Sequence, residues 1–265
     1  MEVLKEEEFK ALSLDMLIKF SEICESYGLR YILDYGTLLG SIRHQGFIPW
    51  DDDIDVTMPR EDYDKFCSII SNNPSLLGAN YRLSLFNNEN SIQKPILNII
   101  DVRTLTCSNN RLEKFFYPVW IDVFPADHFP QDEQDAVKIF KKCEKLMILS
   151  QRAVSKGAGK LKFLKSILYK ILNLFLPVIF QKLDILSRKY NNLDNDLYRV
   201  YFSYYRDILS KSDFNEYIYK EFEGHEFRVP KNYDYRLRLL YGDYMSLPPE
   251  NQRVPHVVQA YWVDK

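Results

Sequence analysis

Apolar residues recur at three- and four-residue steps from Glu6 to Tyr27, at Phe9, Leu12, Met16, Phe20, Ile23 and Tyr27. That spacing holds them on one face of a helix, and Gly28 supplies its stop. The pattern then shortens. Tyr31-Ile-Leu-Asp-Tyr35 reads as a strand, and Gly36-Thr37-Leu38-Leu39-Gly40 turns from it into a short helix. Asp53-Ile54-Asp55-Val56 alternates acid and apolar, so both acids project from one side of a strand and Ile54 and Val56 from the other. Glu61–Ser71 is predicted helical, with Tyr63, Phe66, Ile69 and Ile70 inward and Asn72-Asn73-Pro74 as its end. Three more strands follow: Tyr81–Phe86, Ile96–Val102 and Val119–Phe124, the first two joined by an NNENS turn. Gln131–Tyr205 reads as helices, broken at Ser155–Lys160 and bent around Pro177. Glu221–Val229 reads as a hairpin with Gly224 near its turn, and Tyr233–Tyr241 as a last helix. The following loop, with Gly242-Asp243-Tyr244-Met245 and Pro248-Pro249, is expected to pack back on the active face.

These elements specify an α/β fold (α+β in stricter usage), a small mixed sheet with flanking helices and a helical insertion. The expected divisions are a catalytic core over 1–130, a basic helical insertion over 131–220, and a C-terminal segment over 221–265 that returns to the core. A chain of 265 residues accommodates this arrangement. Its net charge of −2 provides no general attraction to nucleic acid. The four cysteines are scattered without a C-x-x-C pair, which reads as reduced thiols rather than a zinc site or disulfide framework. MEVLKEEEF is acidic where an export signal is basic, so a cytoplasmic protein is expected.

The chemistry concentrates between Gly36 and Arg60. Asp51, Asp52, Asp53 and Asp55 crowd into five positions. Two carboxylates held side by side on a strand repel, and a hard divalent cation between them, Mg²⁺ or Mn²⁺, relieves the repulsion. Gly36 permits close backbone approach to a ligand and Thr37 offers a hydroxyl. The helix that starts there presents free N–H groups to phosphate, and Arg43 can fork onto phosphate oxygens. Asp51 and Asp52 follow Pro49-Trp50 on a loop, and solvated, capping and substrate-facing roles stay open for both. Arg60 either reaches a phosphate or pairs with Asp64 on the surface. Asp122 is the one charge in the Val119–Phe124 strand, which needs a partner or a metal. Asp127 and His128 follow on a loop, where His128 reads as a surface residue rather than a base; His225 and His256 read as structural.

Strand, Gly-Thr turn, short helix and Asp-x-Asp strand, in that order, resemble the nucleotidyltransferase superfold. The fuller string GTLLGSIRHQGFIPWDDDIDV resembles the LicD family of phosphotransferases, to which fukutin-related proteins are also similar. The likeness runs from Tyr31 to Arg60, resumes at Trp120-Ile-Asp-Val-Phe-Pro125, and shows again near Tyr241–Tyr244. It implies a third carboxylate from a neighbouring strand. Asp122 matches that element, and Asp101 is the reserve candidate. It also implies a CDP-linked alcohol as donor, typically CDP-choline, whose phosphoalcohol moves to a sugar hydroxyl of a cell-surface glycan with release of CMP. Asp53, Asp55 and Asp122 would then hold the metal. The same acids would serve nucleotidyl transfer to a sugar or small molecule, and a non-catalytic CDP-alcohol or nucleotide-binding module is the alternative outside enzymes.

Between Lys141 and Tyr190 the chain is strongly basic, with Glu144 and Asp184 its only acids. The uncharged run Ile171–Gln181 is too short to span a bilayer. Two readings stand: the apolar face of these helices is core of a helical subdomain, or it lies on an anionic membrane with lysines at the rim.

Overall fold

The computed structural model describes residues 2–85, 95–107, 116–154, 162–203, 208–253 and 259–263. The NNENS turn, Phe86, the Ser155–Lys160 break and His256 lie outside the described residues.

Strand β1 (Glu2–Leu4) leads into α1 (Glu6–Ser26), whose first turn carries Glu6, Glu7 and Glu8 where the helix dipole favours negative charge. Next come β2 (Ile32–Leu33), α2 (Tyr35–Arg43), β3 (Asp55–Pro59), α3 (Arg60–Asn72), β4 (Tyr81–Ser84), β5 (Leu97–Cys107) and β6 (Phe116–His128). Helices α4 (Glu133–Ala153), α5 (Lys162–Leu174) and α6 (Leu176–Ser187) follow. The chain then returns through β7 (Leu197–Arg199), β8 (Leu209–Ser210), α7 (Lys211–Asn215), β9 (Tyr217–Phe222), β10 (His225–Pro230), α8 (Tyr233–Tyr241) and β11 (Gln259–Trp262).

One mixed sheet runs β1-β11-β5-β6-β3-β2, with β4 also on β5 and β7 on the end of β6. Its β3–β6 pair is parallel and the others antiparallel. Ile54, Val56 and Met58 are buried in the main core, where Phe9, Met16, Leu17 and Phe20 of α1 join them. The alternation that turns Asp53 and Asp55 to one side is therefore the alternation that anchors Ile54, Val56 and Met58 on the other. The hairpin β9–β10 turns through Glu223 and Gly224, both at positive φ (50° and 75°), the geometry a two-residue turn between twisted strands requires.

Several expectations shift. The Tyr31–Tyr35 strand shrinks to two residues because Asp34 caps α2 and Tyr35 already opens it. Strand β3 begins at Asp55, so Asp53 precedes it. Strands β5 and β6 extend well beyond their apolar runs, and β6 takes in Asp127 and His128, which were expected on a loop. The helical reading of Gln131–Tyr205 ends early: β7 pairs with Asp127 and His128 of β6, so strand structure begins at Leu197. The C-terminal segment also supplies β11, a strand inserted between β1 and β5.

The core reading of the apolar α5 face does not survive. Leu172 packs against Ala153, Leu176, Ile179 and Phe180, but Phe163, Leu164, Ile167, Leu168, Ile171, Leu174 and Phe175 point outward. No described helix is long and apolar enough to cross a membrane alone; α5 and the helical run from Leu176 pass that test only as a pair bent by 62°. The cysteines form no disulfides. Burial pushes the Cys67 and Cys143 thiols up to about 12, which keeps them protonated and inert.

Candidate active site

Three neighbouring strands carry one row of polar residues. Asp55 at the start of β3 is in register with Asp122 on β6, and Asn98 on β5 is in register with Asp122 from the other side. The Asp122 N–H donates to the Ile54 carbonyl at 2.8 Å, which fixes the two strands at this level. Asp53 reaches the same place from the extended segment before β3. One carboxylate oxygen from each of Asp53, Asp55 and Asp122 lies within 4.8 Å of the others. Asp122 is buried, while Asp53 and Asp55 are half-exposed, so the group has a closed floor and an open mouth.

Asn98 was not singled out from the sequence. Its side-chain amide donates to the Asp122 carboxylate, and its own Oδ1 is buried with no hydrogen-bond partner among the described residues. A buried acceptor without a donor is uncommon, and this one lies beside the acids. Together the three carboxylates and this carbonyl make an oxygen-only donor set, which fits a hard divalent cation rather than zinc. The available signal was that Asn98 is the one polar residue inside Ile96–Ile100.

Helix α2 is fixed beside the acids by a buried network also missed in the sequence. Asp34 accepts from the Tyr35 N–H (2.9 Å), the Thr57 hydroxyl (2.6 Å), and Nε and Nη2 of Arg236 on α8 (both 2.6 Å). Tyr35 sits at φ 44°, a left-handed conformation uncommon for a side-chain-bearing residue, held by that network. Thr37 is buried, and its Oγ1 accepts the Asp55 N–H at 2.8 Å. It therefore locks α2 to β3 and keeps its hydroxyl proton to donate. A Cβ on Gly36 would collide with the Asp51 carboxylate. The close approach expected at Gly36 is made by Asp51, in the first turn of α2, where the helix dipole favours an anion. Asp52 is half-buried and outside the three-acid group.

Arg43 closes the other end of α2. Its Nη1 donates to the Tyr244 carbonyl at 2.6 Å, so the Gly242–Ser246 loop does pack back on this helix. Burial lowers its pKa from the ordinary arginine value, and the charge of Arg253 adds to that while Tyr241 opposes it. Burial and then Arg43 lower the pKa of His44. Arg253 lies 5.1 Å from the centre of the Trp50 ring, and His44 meets that ring edge-on. Basic groups thus gather around Trp50, directly before the Asp run.

Arg60 is not brought to the acids. It is 4% exposed, and its guanidinium binds both Asp127 oxygens (2.8 and 2.7 Å), Asp184 on α6 (3.2 Å) and the Ser187 hydroxyl. Neither a phosphate-facing role nor a surface pair with Asp64 matches this placement; Asp64 pairs with Arg188 instead. Asp101, the reserve third acid, is buried against Arg103, which contacts both of its oxygens, and is outside the group. His128, expected at the surface, is half-buried: its ring contacts Asn195 at 3.1 Å and packs on Tyr198.

Residues 28–142 match the LicD/FKTN/FKRP nucleotidyltransferase domain. Over 267 aligned positions the chain is 32% identical to the lipopolysaccharide cholinephosphotransferase LicD of Haemophilus influenzae, covering 97% of each protein. The chain belongs to the LicD family. Uncharacterized proteins of Rickettsia typhi and Rickettsia prowazekii are 34% and 33% identical over 51% and 50% of this chain, and 40% and 47% of their own lengths. The LicD domain match holds all three acids, Asn98 and the whole of α2. The near full-length likeness takes in the helical insertion as well.

Proposed function

We propose that this protein is a metal-dependent transferase that moves phosphocholine from CDP-choline to a sugar hydroxyl of a cell-surface glycan and releases CMP. The carrying observation is the Asp53–Asp55–Asp122 group beside the first turn of α2. The likeness to a protein named as a lipopolysaccharide cholinephosphotransferase selects phosphoalcohol transfer over nucleotidyl transfer. Three carboxylates alone would serve either.

In this reading Asp53, Asp55 and Asp122 hold Mg²⁺ or Mn²⁺, and Asn98 orients Asp122. When bound, such an ion neutralises the donor phosphates and stabilises the charge that builds up on them during transfer. The acceptor oxygen bonds to the phosphorus that carries choline. The bond from that phosphorus to the bridging oxygen breaks, and CMP departs with the oxygen. A carboxylate of the group, Asp122 in this proposal, takes the proton of the attacking hydroxyl. In the first turn of α2 the Thr37 hydroxyl donates to the donor phosphates, while the place beside Gly36 is held by the Asp51 carboxylate. Arg43 and Arg253 supply positive charge at the other end of that helix and beside Trp50, and Asp52 lines the mouth. Residues 1–130 together with 221–265 form the catalytic body, 131–220 an inserted unit whose helices end before β7, and the reaction takes place on the cytoplasmic side.

The test is direct. Purified protein is incubated with CDP-choline, Mg²⁺ and lipopolysaccharide, and both CMP and glycan-bound phosphocholine are measured. Equal amounts of both are expected, with neither after chelation. Appearance of the nucleotide on the acceptor would replace this reading with nucleotidyl transfer.

A further inference from the structure

Helix α5 is amphipathic in an inverted sense for a globular protein. Its inward side is half-buried through Ser166, Tyr169, Leu172 and Asn173, and the Asn173 amide donates to the Ala153 carbonyl at the end of α4 at 3.3 Å. Its other side is apolar and open. Phe163, Leu164, Leu168 and Leu174 are each more than half exposed, Phe163 at 76% and Leu174 at 77%, and Phe175 and Val178 at the start of α6 are more than half exposed as well. At 100° per residue the apolar positions of α5 fill an arc of about 140°. Lys165 and Lys170 stand at its two rims, both exposed, and Lys182 is exposed on α6.

The charge of the region singles out one occupant. Between Lys141 and Tyr190 there are twelve Lys or Arg and two Asp or Glu, in a chain whose net charge is −2. This stretch therefore carries +10 and the remainder about −12. A second copy meeting the same face would bring two basic rims together, which is repulsive. Nucleic acid offers no surface for a 140° apolar arc. An anionic lipid surface satisfies both halves: acyl chains take the apolar arc, and headgroups take the lysines, whose stems reach outward along it. Helix α5 is about 20 Å long at 1.5 Å per residue, short of the ~30 Å hydrocarbon core, so it lies in the interface rather than crossing.

We propose that the α5–α6 surface docks this protein on an anionic membrane by inserting the apolar arc of α5, with Lys165, Lys170 and Lys182 at headgroup level. The proposal is independent of the transfer reading, since binding is read without substrate.

The test is co-sedimentation of the full chain with vesicles of phosphatidylglycerol and phosphatidylcholine, against pure phosphatidylcholine, at low and high salt. Pelleting is expected with the anionic vesicles at low salt, falling as salt rises. Lys165→Glu/Lys170→Glu/Lys182→Glu is expected to weaken partitioning by about fivefold or more for each lysine changed, over a hundredfold in all. Phe163→Ser/Leu174→Ser should also abolish pelleting. All five positions are solvent-exposed, and unchanged melting of each variant separates lost docking from lost fold. Absence of pelleting with anionic vesicles at low salt overturns the proposal. So does pelleting that the lysine variant retains, or a wild-type dimer that Phe163→Ser/Leu174→Ser dissociates. Protein that stays with the vesicles through alkaline carbonate overturns interfacial docking in favour of a spanning hairpin.

Discussion

At Asp34 and along β6, at Asp122 and Asp127, acidic side chains lie inside the protein; along α5 apolar ones lie outside. Both arrangements oppose the usual partition of residue types, and both cost stability in the isolated chain. They differ in what has been done about it. Asp34 and Asp127 are each gripped by a buried arginine, Arg236 and Arg60, through two hydrogen bonds. The Asp53–Asp55–Asp122 group instead brings three carboxylates within 4.8 Å of one another, two of them half-exposed. The apolar arc of α5 is exposed among the described residues. Buried charge that is fully paired is therefore scaffold, whereas crowded acids and exposed apolar surface mark places where something else is meant to arrive.

The largest expected effect breaks the acid group itself. Asp53→Asn, Asp55→Asn and Asp122→Asn should each lower phosphocholine transfer on the order of a thousandfold or more, because metal-held charge stabilisation is worth several kcal/mol. The fold should stay intact, checked by circular dichroism and melting. Asp101→Asn is the contrast, expected to keep most of its activity. A variant among the first three that retained a tenth of wild-type turnover would be removed from the metal set.

Next comes the paired charge. Arg60→Ala leaves Asp127 buried without its guanidinium, a loss of about 3–5 kcal/mol. The melting temperature should fall by about 10 °C. Activity per folded molecule measured well below that transition should change little. A stable Arg60→Ala protein with a raised KM for CDP-choline would return Arg60 to the substrate site and undo the contrast between scaffold and site.

Asn98 tests the border between the two kinds of buried polar group. Asn98→Ala should reduce activity about 10–100-fold, the range for residues that orient a metal ligand. Raising Mg²⁺ should restore part of it, a recovery that a purely structural loss would not give. If excess metal changes nothing, Asn98 acts in packing alone.

What the sequence disclosed depended on how local the cause was. α1, α3, α8 and the β9–β10 hairpin follow from periodicity and turn residues within their own spans. The alternation at Asp53–Val56 disclosed the acid pair for the same reason. Strands β1, β7 and β11 have three, three and four residues, too few for a period, and exist because distant segments pair with them. Arg60 reads as a helix-start cation until Asp127 and Asp184, 67 and 124 positions away, fold onto it. Asn98 was visible as a polar break in an apolar run, but its meaning depends on Asp122 across the sheet. The apolar run of α5 could not reveal its own direction, since the same period serves a buried face and an exposed one.

The smallest expected effect sharpens the comparison from the hairpin's side. If the α5 arc is not core, removing apolar bulk from it should cost almost nothing in solution. Phe163→Ser and Leu174→Ser are each predicted to change stability by no more than about 0.5 kcal/mol, as at ordinary surface positions. A buried position of the same chemistry gives the scale: Leu183→Ala, on the fully buried side of α6, should cost about 2–5 kcal/mol through the cavity it leaves. Urea unfolding of the three variants measures both. Large losses at Phe163 and Leu174 would mean that these side chains are covered in the free protein, and the hairpin would then join the sheet as scaffold. Small losses there beside a large one at Leu183 would leave the arc with no part in folding, so that its apolar character has to be accounted for by what it touches.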